Sequence, residues 1–171
     1  MFFSVREDKR MKHRICFKHI RSDTYIGIDP KEADQVKDVT VLFMEGDGQS
    51  IYPDVIESPV FMISDRLQRL LAPFDERTVF KRVVLNQVEE EKQALYWLMI
   101  PEQMACLAGE TEYFPNGWVK KAVIDSSKVL LRRIFQIQLL PRPLFVVNTD
   151  VAEAIMRRNF DGVILEPIEA C

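Results

Sequence analysis

Three residues near the N-terminus, His13, Cys16 and His19, have a spacing that invites metal or nucleophilic chemistry. Nucleophilic catalysis needs a nucleophile, a base within hydrogen-bond reach and a group that orients the base. His13 and His19 are the only histidines, so a Ser-His-Asp or Cys-His arrangement has to be assembled around them. On a strand the two histidines share a face and Cys16 points to the other; on a helix all three converge but a fourth ligand is missing. Metal binding is therefore not expected, and Cys16 reads as a structural thiol. Glu45-Gly46-Asp47-Gly48 reads as a tight turn, because the further carboxylates of a calcium loop do not follow at the required spacing. Glu166 and Glu169 flank Pro167 and read as a solvated tail. There is no GxGxxG or P-loop to cradle phosphate. No catalytic, metal-ligating or cofactor-binding residue emerges, and no cofactor is expected.

Charge is distributed unevenly. The first 21 residues carry seven Lys or Arg against Glu7 and Asp8, a net +5, which leaves −8 for the remainder of a chain whose total is −3. Between Asp23 and Glu57, nine carboxylates face only Lys31 and Lys37. Such a run is commonly a solvated face. The sharper reading is a docking surface for a basic partner, with Asp29, Glu32, Asp34, Asp38, Glu45 and Asp47 as the partner-binding residues. A pI near 5.5 argues against a nucleic-acid groove, so Tyr113, Phe114, Trp97 and Trp118 read as core or rim rather than as a stacking platform. The N-terminus MFFSVREDKRMKHR has no apolar core of signal-peptide length, and charges interrupt every apolar run before a membrane span forms. Cys16, Cys106 and Cys171 are odd in number and far apart, which reads as reduced thiols in a cytoplasmic protein.

The elements that must position any site are clearest near the C-terminus. Leu144 to Val147 is a short apolar strand, Asn148, Thr149 and Asp150 supply helix-capping side chains, and the spacing predicts a helix from about Val151 to Asn159. Asp161-Gly162 turns the chain into a strand at Val163 to Leu165 that Pro167 is expected to end. An earlier stretch has the same order: Pro59 to Ile63, then Ser64-Asp65, then Leu67 to Leu71. We read the match as two uses of one strand, cap and helix grammar rather than as a duplication. Further strands are predicted at Arg14 to Ile20, Val39 to Met44, Trp118 to Ile124 and Lys128 to Leu140, with a hairpin formed by Val79 to Val88 and Gln93 to Ile100. PEQMACLA, from Pro101, is predicted as a short helix closed by Gly109.

At 171 residues, with 47% apolar and 29% charged side chains, the chain reads as one folded domain over 1–171, divided into N-terminal strands with the acidic segment (1–57) and the remainder (58–171). Many strands and two clear helices predict an α+β domain, in which two main helices pack on a largely antiparallel or mixed sheet.

The segments SPVFMISDRLQRLLAP, YWLMI, RRIFQI and PLFVVNTDVAEAIMRRNFDGVILEPI, over residues 58–168, resemble a bacterial immunity-protein family of polymorphic toxin systems. The resemblance rests on scaffold residues, Phe145, Ile155, Gly162, Val163 and Pro167, and covers none of residues 1–57. It implies a non-catalytic protein that binds and neutralises a cognate toxin domain. The competing expectations are a small hydrolase or transferase with a site near His13 and His19, and an interaction module that pairs with itself through an exposed strand.

Overall fold

The computed structural model describes residues 1–171 apart from Ser22 and Asp47. Its strands are β1 (Phe2–Glu7), β2 (Cys16–Phe17), β3 (Val39–Glu45), β4 (Val55–Ile56), β5 (Met62–Ser64), β6 (Val79–Gln87), β7 (Lys92–Ile100), β8 (Glu112–Tyr113), β9 (Val119–Lys121), β10 (Val123–Ile124), β11 (Ile134–Ile137), β12 (Leu144–Asn148) and β13 (Val163–Ala170). The α-helices are α1 (Asp65–Leu71) and α2 (Thr149–Met156). One sheet has the order β2-β3-β6-β7-β5-β4, a second β10-β13-β1-β12-β11, and β8 and β9 form a separate two-stranded ribbon.

The two larger sheets are built alike. In the first, β7 lies between β5 and β6 and is antiparallel to both, β4 flanks β5 antiparallel, and β3 flanks β6 parallel. In the second, β1 lies between β12 and β13 and is antiparallel to both, β11 flanks β12 antiparallel, and β10 flanks β13 parallel. Each sheet thus takes its central strand from the other half of the chain: β1, the first strand, completes the second sheet, and β7 completes the first. The likeness of the two strand, cap and helix stretches therefore extends to whole-sheet order, a pattern of internal repetition with first strands exchanged. The two helices start in the same way. Ser64 Oγ accepts from Leu67 N at 3.2 Å and Asn148 Oδ1 accepts from Val151 N at 3.1 Å, each satisfying an amide that has no partner within its helix. Phe61 and Phe145, at matching positions before the two caps, stack with centroids 3.6 Å apart.

Between the sheets lies a core of Val5, Val55, Phe61, Ile63, Leu67, Leu71, Met99, Ile134, Phe145, Val147, Val151 and Ile155, onto which α1 and α2 pack. The outer face of the first sheet has its own core of Met44, Met62, Val83, Leu85, Tyr96, Leu98 and Ile100, covered by the N-terminal segment through Ile15 and by a 3₁₀ turn at Pro30–Gln35 through Ala33. Asp54 clasps the two halves. Its carboxylate accepts from Ser64 Oγ, from the Arg66 guanidinium at 2.8 Å and from Asp161 N at 2.7 Å, while Arg66 also reaches Asn159 O and lies over the Phe160 ring. Gly162 next to this clasp has φ +71°, and a Cβ there would stand 2.5 Å from Pro53 Cβ, so a larger residue meets both backbone strain and collision.

Several expectations are corrected. The domain is not α+β with two main helices: strand makes up 39% of the chain against 18% for helix of every kind, the sheets are curled, and α2 alone exceeds two turns, with eight residues against seven in α1. Helix α2 ends at Met156 rather than Asn159. PEQMACLA is extended, because its backbone pairs with strand edges instead of with itself: Gln136 N donates to Glu102 O, Met104 N to Gln136 O and Asp125 N to Cys106 O. Of Arg14 to Ile20 only Cys16–Phe17 is strand, and of Lys128 to Leu140 only Ile134–Ile137. Pro167 does not end β13, which continues to Ala170; β10 pairs only with Glu169 and Ala170, so at Pro167 the side away from β1 has no ladder to break.

Candidate protein-docking face

Strand β3, VTVLFME, is apolar on both faces, and its period of two sends alternate side chains to opposite sides. Thr40, Leu42 and Met44 point to the outer core of the first sheet, where Met44 is fully buried. Val39, Val41 and Phe43 point the other way and are 46%, 49% and 49% exposed. The register carries this face across three strands. Val41 lies opposite Val84 of β6, which lies opposite Leu95 of β7, itself 39% exposed. Phe43 aligns with Asn86 and Gln93, and Val39 with Arg82 and Trp97. Beyond Trp97 the same face enters the core at Ile63, and Trp97 Nε1–H donates to Asp65 of α1 at 3.0 Å. Helix α1 thus covers the inner face as far as Trp97 and leaves Val39, Val41, Phe43, Val84 and Leu95 beyond it.

The repeated architecture makes the openness specific. Val123 of β10 is the counterpart of Val41, since each opposes the residue two places beyond that paired through the central strand to the helix-preceding strand. Val123 is 6% exposed. Its backbone is held by Ala108 N and Thr111 Oγ1, and Lys121 pairs with Glu169 beside it at 2.7 Å, so segment 108–121 lines this edge of the second sheet. Among the described residues no segment of the first half makes such contacts at Val41, which is 49% exposed.

The ends of the apolar strip carry opposite charge. At one end are Arg82, whose guanidinium stands over the Trp97 ring at 5.6 Å, and Lys37, two residues before Val39. At the other end are Glu45 and the tip of the β6–β7 hairpin, where Glu91 adopts a left-handed conformation with φ 52°. Glu89 and Glu90 at that tip are neutralised by Lys18 and Lys92, and the Lys18 contact holds the Glu89 carboxyl below its ordinary range.

The acidic residues singled out from sequence are dispersed. Asp29 caps the 3₁₀ turn by accepting from Lys31 N at 2.9 Å, and Glu32 and Asp34 are exposed on that turn, which packs on the outer face of the sheet through Ala33. Asp38 pairs with Lys81 at 2.7 Å, and the hydrogen bond from Lys81 holds its carboxyl below its ordinary range. Glu45 borders the apolar strip, and Asp47 lies outside the described residues. His13 and His19 are exposed turn residues with φ 57° and 59°, and Cys16 between them is exposed rather than packed. Among the described residues no three His, Cys, Asp or Glu are grouped so as to hold a metal ion.

Two hollows stand apart from this face. One of about 840 Å³ brings Arg77, Arg132 and Arg133 together with Asp75, Glu76 and Asp150, and contains no imidazole or thiol. The other, about 620 Å³, lies against α1 and is lined by Arg66, Arg69 and Arg158, which are engaged by Asp54, Asp65 and Ala154 O respectively. Neither places a nucleophile beside a base of the His or Cys type. No described helix is long and apolar enough to cross a membrane. The sequence does not single out Val39, Val41, Phe43 and Leu95; the signal for them is a strand apolar on both faces, which marks either burial on two sides or a face that awaits a cover.

A scan against protein-family models finds none that matches this chain, and no curated protein sequence matches it.

Proposed function

We propose that this chain is a non-catalytic, cytoplasmic protein-binding protein that takes another polypeptide on the open face of β3, β6 and β7. The observation that carries this reading is the half-exposed strip Val39, Val41, Phe43 and Leu95, contiguous across strands and continuous with the core. Scattered exposed apolar residues are ordinary; a registered row on one sheet face is the composition of an interface centre. A cognate toxin domain is the partner implied by the resemblance to immunity proteins. Of the carboxylates singled out from sequence, Glu45 borders the strip, where it can meet a basic group of the partner, whereas Asp29, Glu32 and Asp34 lie on the 3₁₀ turn at the outer face. The alternative of an enzyme at His13 and His19 gains no support from geometry, since neither histidine lines either of the two hollows.

The test is capture of partners from native cell extract by the full chain, with Phe43→Glu in parallel. Phe43 is half exposed, so the variant is expected to keep the wild-type melting curve and to lose its stoichiometric partner, with affinity falling at least about tenfold, as for an interface anchor. A partner retained at full strength by Phe43→Glu sinks the docking-face reading.

A further inference from the structure

We infer that, when no other partner holds it, the open face is covered by a second copy of the chain, packed face to face about a two-fold axis that runs across the strands. The inference rests on the docking-face reading and names the occupant of that face.

Charge decides the occupant. The strip is apolar in the middle, basic at the Lys37 and Arg82 end and acidic at the Glu45 and Glu91 end. A partner of one sign gains at one end what it loses at the other. A second copy turned end for end satisfies both ends at once, which is the self-complementarity an isologous contact requires. The same pattern selects the axis. With the two-fold running across the strands, each β3 crosses its counterpart antiparallel, Val41 meets Val41 of the second copy, Val39 meets Phe43, and Lys37 meets Glu45. An axis along the strands sets basic end on basic end. Edge-to-edge pairing of the two β3 strands is restricted to residues 39–42, because β2 and Lys18 already occupy the flank of β3 at Phe43, Met44 and Glu45. The face-to-face contact is an aligned sandwich of two sheet faces, with Val84 and Leu95 completing the apolar contact.

The experiment is sedimentation velocity of the full chain from about 1 µM to about 1 mM, the range in which weak to moderate dimers dissociate. The wild type is expected to dimerise, and Val41→Asp to be monomeric with an unchanged circular-dichroism melt; Leu95→Lys provides a second disruption on another strand. Lys37→Glu and Glu45→Lys are each expected to weaken the dimer at least about tenfold, and the double exchange to restore it, which only their mutual contact across the two-fold explains. A dimer that survives Val41→Asp, or charge reversals that do not rescue each other, overturns the inference. A wild type that is monomeric throughout also overturns it, while leaving the docking-face reading to stand or fall on the capture experiment with Phe43→Glu.

Discussion

Asp54 shows how one side chain holds the two halves together. It is 6% exposed and receives three donors, from Ser64, Arg66 and Asp161, which belong to the start of α1 and to the turn that follows α2. Replacing a buried, fully engaged carboxylate by an amide leaves a guanidinium without its counter-charge and turns one acceptor into a donor facing donors. Asp54→Asn is therefore expected to destabilise the fold by about 2–4 kcal/mol, below the cost of a wholly buried pair because Arg66 is more than half exposed, and urea denaturation reads it directly. The tyrosines give a pH dependence. Burial pushes the Tyr25 hydroxyl from 10 up to about 12, and burial, reinforced by the Asp54 carboxylate, raises Tyr96 further while its hydroxyl donates to Pro53 O at 2.6 Å. Both folded values lie above the unfolded one, so the folded chain binds more protons. The associated stability is whole below about pH 10 and is lost as pH rises toward 12 and beyond. Tyrosinate absorbance of the native protein is expected to show Tyr25 and Tyr96 ionising late and together with unfolding; simultaneous titration of all four tyrosines near pH 10 without unfolding contradicts this.

Among the elements, β1 has the largest structural consequence for its length. Six residues at the start of the chain form the centre of the second sheet, paired along both edges with β12 and β13, and bury Ser4, Val5 and Glu7. Deletion of residues 1–7 removes two ladders at once and exposes two facing strand edges. The truncated chain is expected to lose its cooperative thermal transition, and a synthetic peptide of residues 1–8 added in trans is expected to restore it; a truncated chain that melts like the wild type denies β1 this role. Local signals served the elements well where structure is local. The caps at Ser64 and Asn148, the hairpin Val79 to Ile100 and the turn at Asp161-Gly162 follow from propensity and hydrogen-bond chemistry within a few residues. The same reasoning fails for PEQMACLA, where a proline start and a glycine stop describe a good helix but β10 and β11 offer the backbone better partners than its own next turn.

For the molecule as a whole, β1 and β7 tie the halves together: each of the two larger sheets takes its central strand from the other half of the chain. The same architecture also places the open face. The second half lines its edge with segment 108–121, whereas Val41 of the first half is 49% exposed, so the half-exposed apolar strip lies on the first sheet. Taken alone, the sequence determined the apolar runs, the helix caps, the hairpin and the uneven charge, because these depend on residue types and on neighbours close along the chain. Only the tertiary structure decided which strand stands at the centre of each sheet, which face of β3 is covered, and that Asp38 is paired while Glu45 borders the exposed strip. Strand pairing draws its free energy from partners distant in sequence, and a strand apolar on both sides carries no mark of which side will be buried.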